Sequence, residues 1–204
     1  MTENILNKEP YISFYHNVFT PEECDFVVEN SERLNKFKRS GMYNVELKQS
    51  EVLDSRTSSS FVDDDSTFNS IRQKSYELLK DKFSYIDNFS IDHFEKTQIQ
   101  RYIPGQYVAS HMDYFNCGRY VTNNDKMATL IIYLNDDFTG GETSFDFLNI
   151  KVKPQKGSAL FFNYDYKENI KVKSKHGGLP VLEGTKYIIT CWIREKPIPH
   201  GQNY

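Results

Sequence analysis

The run Met127-Ala-Thr-Leu-Ile-Ile-Tyr-Leu134 is apolar at almost every position. A strand with one wet face alternates apolar and polar residues; a strand covered on both faces does not. The run therefore predicts a central strand buried on both sides. Shorter strand-like segments flank it. Tyr11 to Phe19 carries Ile12, Phe14 and Val18. From Thr97 the period is two, with Gln98, Gln100 and Tyr102 alternating against Ile99, Arg101 and Ile103. Val108 to Asp113, Glu142 to Phe147, Ile150 to Lys153, Gly157 to Phe162 and Tyr187 to Arg194 complete the set. Turns are expected at Pro104-Gly105 and across Asn135 to Gly141. An aromatic content of 15% suits such a β-rich core.

Two helices precede most of these strands. Thr20 is placed as an N-cap, Pro21 fits the first helical position and Glu23 completes a capping box. Cys24, Val27, Val28, Ser31 and Leu34 share one face of that helix. A second helix is expected from about Thr67 to Phe83, with Phe68, Ile71, Ser75, Leu78 and Leu79 as its buried stripe. Asp63-Asp-Asp65 lies where an acidic cap favours the helix dipole. Both helices are expected to buttress one sheet. The reading is one α+β domain across residues 1–204, large enough for a sizeable core.

Charge and composition narrow the function classes. A net charge of -3 supplies no basic stripe for nucleic acid. No apolar run approaches the length of a membrane span. Met1 to Pro10 lacks the apolar core of a signal peptide, so a cytoplasmic or otherwise soluble intracellular protein is expected. Cys24, Cys117 and Cys191 have no metal-like spacing and read as reduced thiols. His93 follows a loop-like stretch and reads as a surface residue. The tail from Glu195 to Tyr204, with His200, reads as frayed.

Chemistry concentrates at His111-Met-Asp113. Two side chains two residues apart on an extended strand point to one face, and an imidazole and a carboxylate so placed can grip one metal ion. His176 is the best third ligand, and Gly177-Gly178 lets the chain turn sharply beside it. Two imidazoles and one carboxylate leave three octahedral positions open, which suits non-haem Fe(II) oxygen chemistry. Ten residues on, Lys186 opens the last strand-like run and could hold an anionic cosubstrate. Tyr114 to Lys126, directly after the first two ligands, reads either as a lid or as an ordinary long loop.

This pattern and its flanks resemble the 2-oxoglutarate and Fe(II)-dependent dioxygenases, specifically the prolyl 4-hydroxylases of the short single-domain type known from algae and large DNA viruses. The flanks are Arg101-Tyr-Ile-Pro-Gly-Gln106, Ala128 to Leu134, Gly140-Gly-Glu-Thr143, Pro154 to Phe162 and Pro180 to Lys186. The resemblance spans residues 10 to 195. It implies a double-stranded β-helix, or jelly roll, with the N-terminal helices packed on one sheet. It implies Fe(II) at His111, Asp113 and His176, and 2-oxoglutarate held by Lys186 with the hydroxyls of Tyr102 and Thr143. It further implies use of dioxygen and ascorbate, and hydroxylation of proline in proline-rich or collagen-like chains. Arg56, in Asp54-Ser-Arg-Thr-Ser-Ser59, would line the peptide groove; Lys126 and Trp192 are the other candidate substrate contacts. The substrate side departs from the family pattern. Val108 stands where a tyrosine is common, Lys126 where an arginine often is, and Arg194 where some members have histidine. Hydroxylation of another residue or of a small molecule, and a jelly-roll binding protein without turnover, are the alternatives.

Overall fold

A computed structural model describes residues 1–44, 49–51, 54–63, 68–113, 124–164 and 172–198. In chain order the elements are β1 (Thr2–Lys8), β2 (Tyr11–His16), α1 (Pro21–Leu34), β3 (Lys38–Arg39), β4 (Met42–Asn44), β5 (Gln49–Glu51), β6 (Ser59–Val62) and α2 (Asn69–Leu79). Then come β7 (Gln98–Tyr102), β8 (Val108–His111), β9 (Lys126–Tyr133), β10 (Thr139–Gly140), β11 (Thr143–Phe145), β12 (Ile150–Val152), β13 (Ala159–Asn163), β14 (His176–Gly178), β15 (Val181–Glu183) and β16 (Lys186–Arg194). The large sheet runs β1-β2-β13-β9-β16-β7-β6-β3, and a smaller one runs β12-β11-β14-β8. Both are antiparallel throughout. Together they form the jelly roll.

The central run behaves as its composition dictates. Every residue of β9 is buried, with β13 on one side and β16 on the other. Its alternate residues feed two separate cores. Ala128, Leu130 and Ile132 pack with Ile99, Ile189 and Cys191 against Cys24 and Val27 of α1 and Ile71 and Leu79 of α2. Ile131 and Tyr133 face the other way, into a second core with Tyr102, Phe145, Val152, Leu160 and Phe162. One face of the large sheet thus carries the helices; the other closes on the small sheet.

The helix ends follow their local chemistry. Thr20 Oγ1 accepts from Glu23 N at 3.2 Å, and Glu23 Oε2 accepts from Thr20 N at 2.7 Å. At the second helix Asp63 accepts from Phe68 N at 2.9 Å, while Asp64 and Asp65 lie outside the described residues. The expected Thr67 to Phe83 helix is α-helical over Asn69–Leu79 and tightens to a 3-10 turn at Lys80–Phe83.

Several expectations are corrected. β1 has no counterpart in the sequence reading: it is an exposed edge strand, so no apolar alternation marks it. His93 is not a surface residue. It is 1% exposed, its Nδ1 accepts from Ser90 N at 3.2 Å, and its ring packs at a tilt on Phe89 with centroids 4.7 Å apart. Capping of a short turn leaves no periodic signal. The tail is anchored through Ile198, whose N–H donates to Asp92 O at 2.7 Å; His200 lies outside the described residues. So does Tyr114 to Asn123 of the expected lid, including Cys117. β8 stops at His111, leaving Asp113 on a bend rather than on the strand. Gly177 and Gly178 do not turn the chain; they lie within β14. A Cβ on Gly177 would sit 3.0 Å from Val108 O and 3.2 Å from Ser110 Cα, so glycine here permits close approach of β14 to β8. Among the described residues no helix is long and apolar enough to cross a membrane.

Candidate active site

β14 and β8 pair with His176 opposite His111. Directly opposed residues of an antiparallel pair point to one face, and the two imidazole centroids lie 4.6 Å apart. The bend after His111 brings Asp113 back towards both rings. Asp113 Oδ1 is 3.2 Å from His111 Nε2, and Oδ2 is 3.6 Å from His176 Nε2. The three side chains place one ligand atom each within 4.8 Å of one another.

The backbone fixes the tautomers. His111 Nδ1 donates to Ala109 O at 2.9 Å, and His176 Nδ1 donates to Ser174 O at 3.0 Å. A carbonyl only accepts, so each Nδ1 carries a proton and each ring presents Nε2 towards Asp113. Burial pulls the His176 imidazole down to about 4, so it is neutral at pH 7. Burial alone would raise Asp113, yet His176, His111 and Lys126 hold its carboxyl well below the ordinary range. Two Nε2 atoms and a carboxylate turned inward form a donor set for a cation, and each imidazole is steadied from behind by a backbone carbonyl, as metal-binding histidines are. Two imidazoles and one carboxylate suit Fe(II).

Two residues that the sequence reading missed support Asp113. Thr129 Oγ1 donates to its Oδ2 at 2.7 Å, and the Tyr164 hydroxyl donates to the same oxygen at 2.9 Å. Thr129 and Tyr164 also touch each other. A threonine inside an apolar run was a usable signal for the first. Tyr164 follows β13 and no pattern marks it.

Lys186 lines the same cavity as His111, Asp113 and His176. β16 pairs with β7 so that Lys186 opposes Tyr102, and both side chains enter the cavity wall with Thr143. Lys186 is 3% exposed, and its ammonium lies 5.3 Å from the Tyr102 ring centroid. It donates to Gly141 O at 2.7 Å, its hydrogen-bond acceptor among the described residues. Burial draws it down to about 8, against the pull of Glu142. Thr143 Oγ1 is engaged at 2.8 Å with the hydroxyl of Tyr133, which the sequence reading also missed. The Tyr102 hydroxyl donates to Gln100 Oε1 at 2.6 Å, and Gln100 Nε2 donates to Thr190 Oγ1 at 2.8 Å. Gln100 and Thr190 were legible only as members of alternating strands.

The candidate substrate contacts fall in two places. Arg56 and Trp192 line the cavity with the metal-ligand candidates. Arg56 is 9% exposed, bridges to Val108 through the backbone and donates to Gln98 Oε1 at 3.3 Å. Its Nε and the Trp192 Nε1 are buried donors without a hydrogen-bond acceptor among the described residues. Lys126 stands behind this wall rather than in it. It is 8% exposed, with Nζ 3.7 Å from the Trp192 ring centroid, a cation–π contact.

A family model described as the 2OG-Fe(II) oxygenase superfamily matches residues 97–194, a span holding every candidate above except Arg56. Prolyl 4-hydroxylase 1 of Arabidopsis thaliana is 30% identical over 210 residues, covering 94% of this chain and 71% of that protein. A putative prolyl 4-hydroxylase of Acanthamoeba polyphaga mimivirus is 36% identical over 118 residues, covering 53% of this chain and 48% of that protein. The viral collagen prolyl hydroxylase of Paramecium Bursaria Chlorella virus-1, solved as a 2OG complex, superposes with a TM-score of 0.70 at 28% identity. That match covers 93% of this chain and 98% of the viral one. With the jelly roll and the ligand geometry already in place, these matches mean that the chain belongs to the prolyl 4-hydroxylase family of 2OG-Fe(II) oxygenases.

Proposed function

We propose that this chain hydroxylates peptidyl proline to 4-hydroxyproline in proline-rich or collagen-like chains, with residues 1–204 acting as one catalytic domain. His111, Asp113 and His176 hold Fe(II), and Lys186 holds the far carboxylate of 2-oxoglutarate. One observation carries the reading. Two imidazole nitrogens and a carboxylate converge in a cavity whose wall also holds a buried ammonium, bonded among the described residues to the Gly141 carbonyl. Bound Fe(II) supplies activation of dioxygen, coupled to conversion of 2-oxoglutarate to succinate and carbon dioxide and to insertion of oxygen into a C–H bond.

The chain's own residues bind and orient. The carbonyls of Ala109 and Ser174 fix the imidazoles so that Nε2 stays free for metal. Lys186 supplies a charge-assisted bond to a carboxylate in a dry setting, where it is stronger than in water. Tyr102 and Thr143 set the cosubstrate's depth against that ammonium. Among the described residues Arg56 Nε and Trp192 Nε1 find no acceptor on the cavity wall, a costly arrangement unless one arrives. A peptide carbonyl is such an acceptor. Lys126 contributes by holding the indole face rather than by touching substrate.

The test is succinate formation from 2-oxoglutarate with Fe(II) and ascorbate, with and without a poly-proline or collagen-like peptide. Peptide-stimulated succinate with matching hydroxyproline by mass is the expected result. Succinate that no proline peptide stimulates would redirect the search to another residue or a small molecule. No succinate with metal bound would leave a binding protein.

A further inference from the structure

The cavity wall holds a chain of side-chain hydrogen bonds whose direction is set from one end. Arg56 Nη2 lies 3.3 Å from Gln98 Oε1. A guanidinium only donates, so the atom facing it must be the amide oxygen. That oxygen only accepts, so the Gln100 atom 3.0 Å away is Nε2. The second hydrogen of this nitrogen goes to Thr190 Oγ1 at 2.8 Å. Gln100 therefore turns Oε1 to the Tyr102 hydroxyl, 2.6 Å away, and Tyr102 must be the donor. Amide orientations follow from such networks, and here one guanidinium fixes two amides and a hydroxyl.

Tyr102 has one hydroxyl proton, and this bond uses it. Gln100 and Tyr102 are each 3% exposed and both line the cavity with Lys186. Among the described residues the Tyr102 hydroxyl is the donor to Gln100 Oε1. A carboxylate in the cavity could take the Tyr102 proton only by leaving that buried oxygen without a donor, at a cost of the same order as the bond gained. We infer that Gln100 is a positioning residue that holds the Tyr102 proton away from the cosubstrate and so loosens 2-oxoglutarate binding. The inference rests on the proposed binding of 2-oxoglutarate beside Lys186 and Tyr102.

The register keeps the hold firm. Gln98, Gln100 and Tyr102 are alternate residues of β7 and share one face of it. β16 sets Thr190 opposite Gln98 and Lys186 opposite Tyr102. The relay is thus fixed on two paired strands, and Gln100 stands between Arg56 on the peptide side and Tyr102 on the cosubstrate side. An apolar residue in place of Gln100 removes the internal acceptor and leaves the Tyr102 proton to the ligand. Loss of a buried polar residue beside a ligand ordinarily weakens binding; here it is expected to strengthen it.

The test is calorimetric titration of 2-oxoglutarate into the Mn(II)-loaded protein, with folding checked by thermal melting. Gln100→Leu should lower the Kd about tenfold, the low end of what a hydrogen bond to a charged group contributes. In a Tyr102→Phe background the same substitution should change the Kd less than about twofold, because the proton it would free is gone. Gln100→Met, which keeps the stem and lacks the amide, replaces the leucine variant if that one does not melt cooperatively. An unchanged or higher Kd in the folded variant would overturn the inference and leave Gln100 a structural residue. So would a gain that survives in the Tyr102→Phe background, since its source would lie elsewhere. A parent protein that binds Mn(II) but not 2-oxoglutarate would refute the cosubstrate reading, and the inference with it.

Discussion

Lys186 gives the sharpest test because its charge works against folding and for binding. Burial lowers its ammonium from 10.5 to about 8. That gap corresponds to about 3 kcal/mol of preference for the neutral form in the folded state. Below pH 8 the group is charged both folded and unfolded, and the ligand-free fold carries the full penalty. Between pH 8 and 10.5 the folded protein sheds this proton first, and the penalty fades as pH rises. Lys186→Met, which keeps the stem and removes the charge, should therefore stabilise the ligand-free protein at pH 7 by up to about 3 kcal/mol. The same change should weaken 2-oxoglutarate binding more than about 100-fold, because the far carboxylate loses the buried ammonium proposed to hold it. In the parent, the charged fraction falls from about nine-tenths at pH 7 to about 3% at pH 9.5, so 2-oxoglutarate affinity should drop about 30-fold across that range. Urea unfolding of both proteins and calorimetric titration of 2-oxoglutarate into Mn(II)-loaded protein read the two effects. A Lys186→Met protein that is less stable at pH 7 would show that the ammonium is a structural donor to Gly141 O. A pH-independent affinity would show that it is not the cosubstrate's anchor.

The remaining predictions address other parts of the site and fold. His111→Ala and Asp113→Ala should abolish iron-dependent succinate formation at every peptide concentration, and residual turnover at a tenth of the parent rate would refute the ligand assignment. Arg56→Ala should raise the KM for a proline peptide about tenfold or more while leaving peptide-independent succinate formation intact, as loss of one buried charged donor implies. Equal losses in both reactions would place Arg56 in the iron or cosubstrate machinery instead. Gly177→Ala, measured by Mn(II) binding and thermal melting, should lower both, since its Cβ meets the backbone of Val108 and Ser110 and pushes β14, with His176, off β8. Thr20→Ala should cost about 1 kcal/mol in urea unfolding by removing half of the capping box on α1, with no effect on turnover.

What the sequence made legible was whatever rests on local spacing. The capping box at Thr20 and Glu23, the stripes on α1 and α2 and the buried run in β9 depend on neighbours in the chain, and the structure repeats them. The pairing of His176 with His111 joins residues 65 apart: the residue types singled out His176 as a third ligand, but no local pattern shows the strand register that sets it opposite His111. Other features had no local trace. β1 is defined by main-chain pairing at an edge, with Ile5 and Leu6 left exposed, so hydrophobic alternation could not reveal it. Gly177-Gly178 looked like a turn because glycine is most often read through φ freedom, whereas here the missing Cβ matters through space. Tyr164 acts through its hydroxyl at the end of an apolar strand, where any aromatic residue would have fitted the pattern.

The alternation of one sheet also explains why so polar a cavity can exist in a small domain. β7, β9 and β16 each give their odd or even residues to the helix side, where Ile99, Ile132 and Ile189 are fully buried. The same strands give Gln100, Tyr102, Thr129, Lys186 and Thr190 to the cavity side. Polar groups buried without partners cost about 1–3 kcal/mol each, and most of this set avoids that by bonding within itself, as Tyr102 to Gln100 and Gln100 to Thr190 do. The exceptions are informative. Among the described residues of the cavity wall, Arg56 Nε and Trp192 Nε1 have no acceptor and the ammonium of Lys186 has one. All three line the cavity that reaches His111, Asp113 and His176. The helix-side core supplies the stability that lets these groups stay unsatisfied, and their shared demand is for acceptors: one carboxylate at Lys186 and one carbonyl near Arg56 and Trp192. A small dicarboxylate bound beside a peptide meets that demand, whereas a second cationic or purely apolar ligand would leave every one of these donors unpaired.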